Sequence, residues 1–231
     1  MKSKTNVSVV FMQLCLLFTV ALIASNLFET KQIAAGPINI TGGMLTFPVC
    51  YIIGDLVCEV WGFRRATLLI WAGFLMNFIF VAVAALVDVL PGAAYWTNDA
   101  GFHAVFGMSA RISVASFIAF LCGSFVNAMV LSRMKVKHAG KKLAKRLVLS
   151  SVVGEAVDSA IFFPIAFLGV LGGMELLDQM LFQFILKTAY EIIFLPITIR
   201  FIRSIKKAEQ EDAFDNDINY GIFEIFIHAH E

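Results

Sequence analysis

The chain has 231 residues, of which 59% are hydrophobic, and its mean hydropathy is +0.83. That composition excludes an ordinary soluble domain, because the apolar residues fall in runs too long for one globular core. The net charge of +1 excludes a global attraction to nucleic acid, so the informative feature is how the basic residues are segregated.

Six segments approach or exceed the roughly 20 apolar residues that a bilayer requires: Val7–Phe28, Gly43–Val60, Ala66–Leu90, Ile112–Leu131, Leu147–Val170 and Met180–Ile199. Val7–Phe28 is too long for a signal h-region and lacks a persuasive cleavage site, so it reads as a retained span. Between the first two segments, GPINITGG (Gly36–Gly43) reads as a turn-forming linker. The expected fold is all-α and polytopic, with six transmembrane helices.

Fifteen of the eighteen Lys and Arg residues fall on one side of such a bundle. They include Lys2 and Lys4, Arg64 and Arg65, seven residues from Arg133 to Arg146, and Arg200, Arg203, Lys206 and Lys207. The positive-inside rule then places both termini in the cytoplasm. The chain divides into a transmembrane domain over 1–207 and an acidic tail over 208–231. The tail carries seven acidic residues and no basic one, and reads as solvated and peripheral. His228 and His230 make a bare H-x-H, too few ligands for a metal site. The four cysteines, Cys15, Cys50, Cys58 and Cys122, lie in apolar runs without zinc-like spacing and read as small buried hydrophobes. No metal and no cofactor are expected.

The apolar segments contain polar groups. Asp55 and Glu59 lie four residues apart and Glu155 and Asp158 three apart, so each pair shares one helical face. Lys187 and Glu191 are four apart on the sixth segment, which fits either a neutralising pair or a site role. One lysine thus faces five carboxylates. An ionised group costs at least ~2.5 kcal/mol at a helix centre, so such groups are kept against a cavity, a partner or a substrate. Asn26 and Asn127 each sit near a helix end, and Asn77 reads as a helix–helix contact. The candidate substrate-binding residues are therefore Asn26, Asp55, Glu59, Asn127, Glu155, Asp158, Lys187 and Glu191.

Asn26 precedes Asp55 by 29 residues and Asn127 precedes Glu155 by 28. Gly54-Asp55-x-x-x-Glu59 also echoes Gly154-Glu155-x-x-Asp158. Two three-helix halves joined by the basic loop at 133–146, and inverted because three is odd, account for both echoes. Inverted repeats are a transporter device, with the site at the midplane between them.

There is no P-loop, no H-E-x-x-H, no G-x-S-x-G and no dinucleotide fingerprint, so no enzyme is expected. Several stretches together carry a family likeness: Ser25-Asn26, FPVCYIIGDLVCEVWGFRRA (Phe47–Ala66), RISVASFIAF with Asn127, GEAVDSAIFFPIAFLG, and KTAYEIIFLPIT. In these the chain resembles the queuosine precursor transporter family, also grouped as vitamin uptake transporters. Where that family usually shows E-V-Y-G, this chain has Trp61 before Gly62; where an amide is common, it has Glu155. The resemblance implies import of a 7-deazaguanine (7-cyano-7-deazaguanine, its aminomethyl relative, or queuine) across the bacterial inner membrane, for tRNA wobble-base modification. The partners implied are that small molecule and the lipid bilayer, with no direct nucleic acid. The pairs Gly42-Gly43 and Gly172-Gly173 are compatible with close packing and with a homo-oligomer. Competing readings are a substrate-capture subunit of an energy-coupling vitamin importer, a proton-coupled carrier of another small solute, and a membrane assembly protein whose charges only pair helices.

Overall fold

The computed structural model describes residues 8–35, 38–107, 110–170, 172–216 and 218–221. Helix α1 (Val9–Phe28) opens at Ser8, whose side chain accepts the Phe11 N–H at 3.3 Å. The linker after α1 is a hairpin. Strands β1 (Gln32–Ala35) and β2 (Ile38–Thr41) pair antiparallel, with Gln32 opposite Thr41. A 3-10 turn (Gly42–Leu45) leads into α2 (Phe47–Trp61), which carries Pro48 in its first turn, where no intrahelical N–H is needed. Gly62, at φ 87°, ends α2 and starts α3 (Phe63–Asp88), a backbone that other residues rarely adopt. A short α4 (Asp99–Phe106) precedes α5 (Ala110–Lys137), α6 (Leu143–Phe167) and α7 (Gly173–Glu209).

Among the described residues, six helical spans are long and apolar enough to cross a membrane, as expected, with the 3-10 turn counted with α2 and α4 with α5. The largest boundary difference is α7, with 37 residues. At ~1.5 Å per residue it is about 55 Å long, well beyond the ~30 Å hydrocarbon core. Its extension carries Arg200, Arg203, Lys206 and Lys207, which continue the helix into a polar region.

The basic loop connects α5 to α6, so it lies inside the second group of three helices. The expectation that it joins two three-helix halves is corrected: the loop lies between the fourth and fifth spans, and what separates the first three spans from the last three is the segment after α3 that carries α4.

Helix α2 is the centre of the molecule. Eleven of its fifteen residues are buried, so its charges face neither lipid nor water. Val57, Val60, Phe63, Leu69 and Leu131 form the core with Phe18 and Phe120. By contrast, α1, α3 and α7 expose Leu16, Leu75, Ile79, Ile185 and Ile193. Such a surface is a liability in water but costs nothing against acyl chains. Helices α5 and α6 meet at backbone distance. A Cβ on Gly154 would lie 2.7 Å from Asn127 Cβ and 3.0 Å from the Gly123 carbonyl oxygen. Small residues permit this approach, which packs Asn127 of α5 directly against α6.

Candidate functional site

One face of α2 carries Phe47, Tyr51, Asp55 and Glu59 at four-residue spacing. It runs from the end of the bundle bearing the hairpin to the end bearing the basic loop, and polar groups of α6 and α7 flank it in three layers.

At the hairpin end lies a cleft of roughly 640 Å³, counting its open mouth. Ser25, Asn26, Glu29, Phe47, Asp158 and Lys187 line it, together with Gln183. Lys187 is the hub. Its ammonium donates to Asp158 Oδ2 at 2.8 Å, lies 3.2 Å from Glu155 Oε2, and sits 4.4 Å from the Phe47 ring centroid. Glu155 is only 1% exposed and stands one turn nearer the basic end. Burial pushes the Glu29 carboxyl above the ordinary carboxylate range. Asn26 Nδ2 donates to Asn77 Oδ1 at 2.9 Å, so these amides join α1 to α3 while Asn26 also faces the cleft.

The middle layer holds Asp55. Its Oδ1 accepts from Asn127 Nδ2 at 2.7 Å, and Ser151 Oγ donates to Oδ2 at 3.4 Å. A second, smaller cavity is lined by Asp55, Ser151, Thr188 and Glu191. Among the described residues, Thr188 Oγ1 and Glu191 Oε1 are buried there without a hydrogen-bond partner.

The third layer closes the basic end. Glu59 is fully buried and receives both guanidinium prongs of Arg146, with Nη2 at 2.9 Å from Oε1. Lys206 Nζ reaches the same Oε1 at 2.7 Å, and Lys135 Nζ lies 3.7 Å from it.

The structure thus brings Glu155, Asp158 and Lys187 together, and places Asp55 with Asn127 and Glu191 one layer on. It separates Glu59 from both. Lys187 engages Asp158 and Glu155 across helices, so the reading of Lys187–Glu191 as a pair within one helix is not realised in the contacts of Lys187. The count of one lysine against five carboxylates is also corrected. Arg146, Lys135 and Lys206, assigned to loops and ends by sequence, reach the fourth turn of α2. Long basic side chains bury their stems and carry charge several ångströms from their Cα. Glu29, Gln183 and Tyr51 were missed. The signal for Glu29 was its place three residues after Asn26, on the same face of the chain leaving α1.

A family model described as "Putative vitamin uptake transporter" matches residues 41–201. The chain belongs to this family. Among curated relatives, a "Probable queuosine precursor transporter" of Bacillus subtilis (strain 168) is 24% identical over 179 residues, covering 76% of this chain and 77% of the relative. A protein of the same description from Haemophilus influenzae is 28% identical over 130 residues, 55% of this chain and 52% of that one. No solved structure matches. The family resemblance drawn from the motifs therefore holds. The vitamin uptake transporter family, with six apolar helices, makes this chain a multi-pass bacterial membrane protein of transport function.

Proposed function

We propose that this chain imports a queuosine precursor of the 7-deazaguanine class, with the basic end of the bundle and both termini in the cytoplasm. The observation that carries the reading is the cleft at the opposite end, where the Asp158 carboxylate stands among Asn26, Glu29 and Lys187. A guanine-like edge presents a ring N–H beside an amino group, and one carboxylate accepts both in a charge-assisted pair. An amide serves the carbonyl and ring nitrogen because it both donates and accepts. A second carboxylate, Glu29, suits a cationic aminomethyl substituent. The Phe47 ring offers an apolar face.

Glu155 holds Lys187 in place, and Asp55, Asn127 and Glu191 form the next station along α2. Glu59 belongs to the closure of the far end. The two groups of three helices, α1–α3 and α5–α7, are inverted repeats enclosing this path. Residues 1–207 are the transport domain and 208–231 an acidic segment that follows it. The chain is a carrier with no enzymatic step and no nucleic-acid contact of its own.

The test is uptake in a bacterium that neither makes deazaguanines nor imports them. The chain is expressed, each precursor is supplied at low concentration, and queuosine in tRNA is scored. Restored modification supports the reading. No restoration, with the protein present in the membrane, rejects it. A second reading, a proton-coupled carrier of another small solute, is favoured by Asp55 and Glu191 sharing a cavity that, among the described residues, no cation lines. Competition between precursors and other solutes separates the two.

A further inference from the structure

We propose that residues 212–216 and 218–220 form a strap that holds the basic end of the transporter shut and must detach for that end to open. The expectation of a solvated, peripheral tail does not extend to this segment, because Asp212, Ala213, Phe214, Asp215 and Tyr220 all contact the bundle. Asp212 Oδ1 meets both Lys135 and Lys206, at 2.5 and 2.6 Å. The Ala213 N–H donates to the Val60 carbonyl at 2.9 Å, and the Ala213 carbonyl accepts from Lys135 at 2.6 Å. Phe214 lies beneath the Lys135 ammonium, 4.7 Å from ring centroid to nitrogen. The Tyr220 ring packs 5.0 Å from Phe63 and 4.6 Å from the Arg133 guanidinium.

Asp215 decides the role. Its Oδ2 accepts from the Phe63 backbone N–H at 2.8 Å and from Ser132 Oγ at 2.5 Å. Phe63 opens α3 and Ser132 lies on α5, so one carboxylate bridges the first group of three helices to the second. It also caps the buried start of α3, where the first helical N–H groups lack intrahelical partners and the dipole favours an anion. The site for it exists because Gly62 has no Cβ: one placed there would lie 2.7 Å from Asp215 Oδ1. Lys135 and Lys206 bind Glu59 and Asp212 together, which couples the strap to the buried closure beneath it. Transporters of two packed halves expose their ends alternately by moving one half against the other. That motion at the basic end separates Phe63 from Ser132 and breaks the bridge. The inference rests on the halves moving and not on any substrate, so it stands or falls apart from the precursor assignment.

Cys58 reports on it. The residue is 1% exposed, one position before Glu59, and its thiol faces the Ala128 carbonyl of α5 at 3.3 Å. Full-length protein carrying Cys58 as its sole cysteine is placed in lipid nanodiscs, where both faces are accessible, and treated with a membrane-impermeant maleimide. A matched protein keeps only Cys50, also 1% exposed but packed beside Phe18. D212N and D212N/D215N are compared with the parent. The strap predicts that Cys58 labelling rises about tenfold or more, the scale of losing a charge-assisted hydrogen bond, while Cys50 stays covered. Asp212 is half-exposed, so D212N leaves the core packed and decides the matter if the double variant unmasks both cysteines. Unchanged Cys58 labelling in both variants, or equal unmasking of Cys50 and Cys58 by D212N, overturns the proposal.

Discussion

Arg146 and Glu59 form a two-pronged ion pair in which neither side chain has any solvent exposure. Arg146 stands in the first turn of α6 and Glu59 in the last turn of α2, so the pair ties two helices at the basic end. Removing one member of a buried pair strands the other charge, at a typical cost of about 3–5 kcal/mol. Lys135 and Lys206 still neutralise part of Glu59, so R146A is expected at the lower bound, a loss of about 3 kcal/mol. E59Q/R146Q together should cost less than the two single variants added. Denaturant unfolding of purified protein checks both. An R146A protein as stable as the parent contradicts the reading of Arg146 as a structural tie.

Asp158 is expected to matter for uptake and not for membrane insertion. D158N removes a charged acceptor from the cleft, and a lost charge-assisted hydrogen bond of about 1.5–3 kcal/mol lowers uptake at least ~10-fold. D55N is expected to abolish uptake as well. E29Q should separate substrates, reducing uptake of a cationic aminomethyl precursor more than that of its neutral cyano counterpart. Uptake of each precursor with protein level measured in parallel checks this. Normal uptake by both D158N and D55N removes these carboxylates from the path.

The six spans were legible because a membrane helix announces itself by length and composition, and the family likeness by several stretches together. The layering of the polar groups was not. Asp55 and Glu59 share a face of α2, which periodicity shows, yet one meets Asn127 and the other Arg146. That difference depends on which helix ends lie opposite each turn of α2, information carried by tertiary packing and by the reach of Arg and Lys side chains. The amides split similarly. Asn127 crosses to Asp55, whereas Asn26, its counterpart by spacing, bonds Asn77 on α3. The strap was hidden by composition: an acidic run reads as solvated until its basic seat is known.

Two glycines of apparently similar setting should respond oppositely to alanine. Gly154 lies against α5, and an added Cβ meets Asn127 Cβ at 2.7 Å and the Gly123 carbonyl at 3.0 Å, neither of which can yield without moving a helix. G154A is expected to destabilise by about 1–3 kcal/mol, the usual cost of overpacking. It should also weaken the Asn127–Asp55 contact. Gly54 lies inside α2 with nothing within 4 Å of an added Cβ. G54A relieves helix entropy and is expected to stabilise by about 0.5–1 kcal/mol. Paired unfolding curves check the contrast, and equal shifts for the two contradict the close approach of α5 and α6.

The strap should resist mild acid and release in strong acid. Burial lifts the Asp212 carboxyl, but hydrogen bonds and charge from Lys135 and Lys206 outweigh it and hold the group below the ordinary carboxylate range. A group whose pKa is depressed on folding contributes fully above its unfolded value, near 3.9 for Asp, and loses that contribution as pH falls through the lower folded value. Attachment through Asp212 is therefore expected to be flat from about pH 5 to 8 and to weaken below about pH 4. Glu59 and Asp215 face the same cations and the same helix start, so the comparison with D212N isolates the Asp212 part. The readout is hydrogen exchange at the Ala213 amide, which is bonded to the Val60 carbonyl, after correction for the intrinsic pH dependence of exchange. Protection in the parent that decays with acid in step with D212N, or that is already lost near neutral pH, contradicts a strap held by this ion pair.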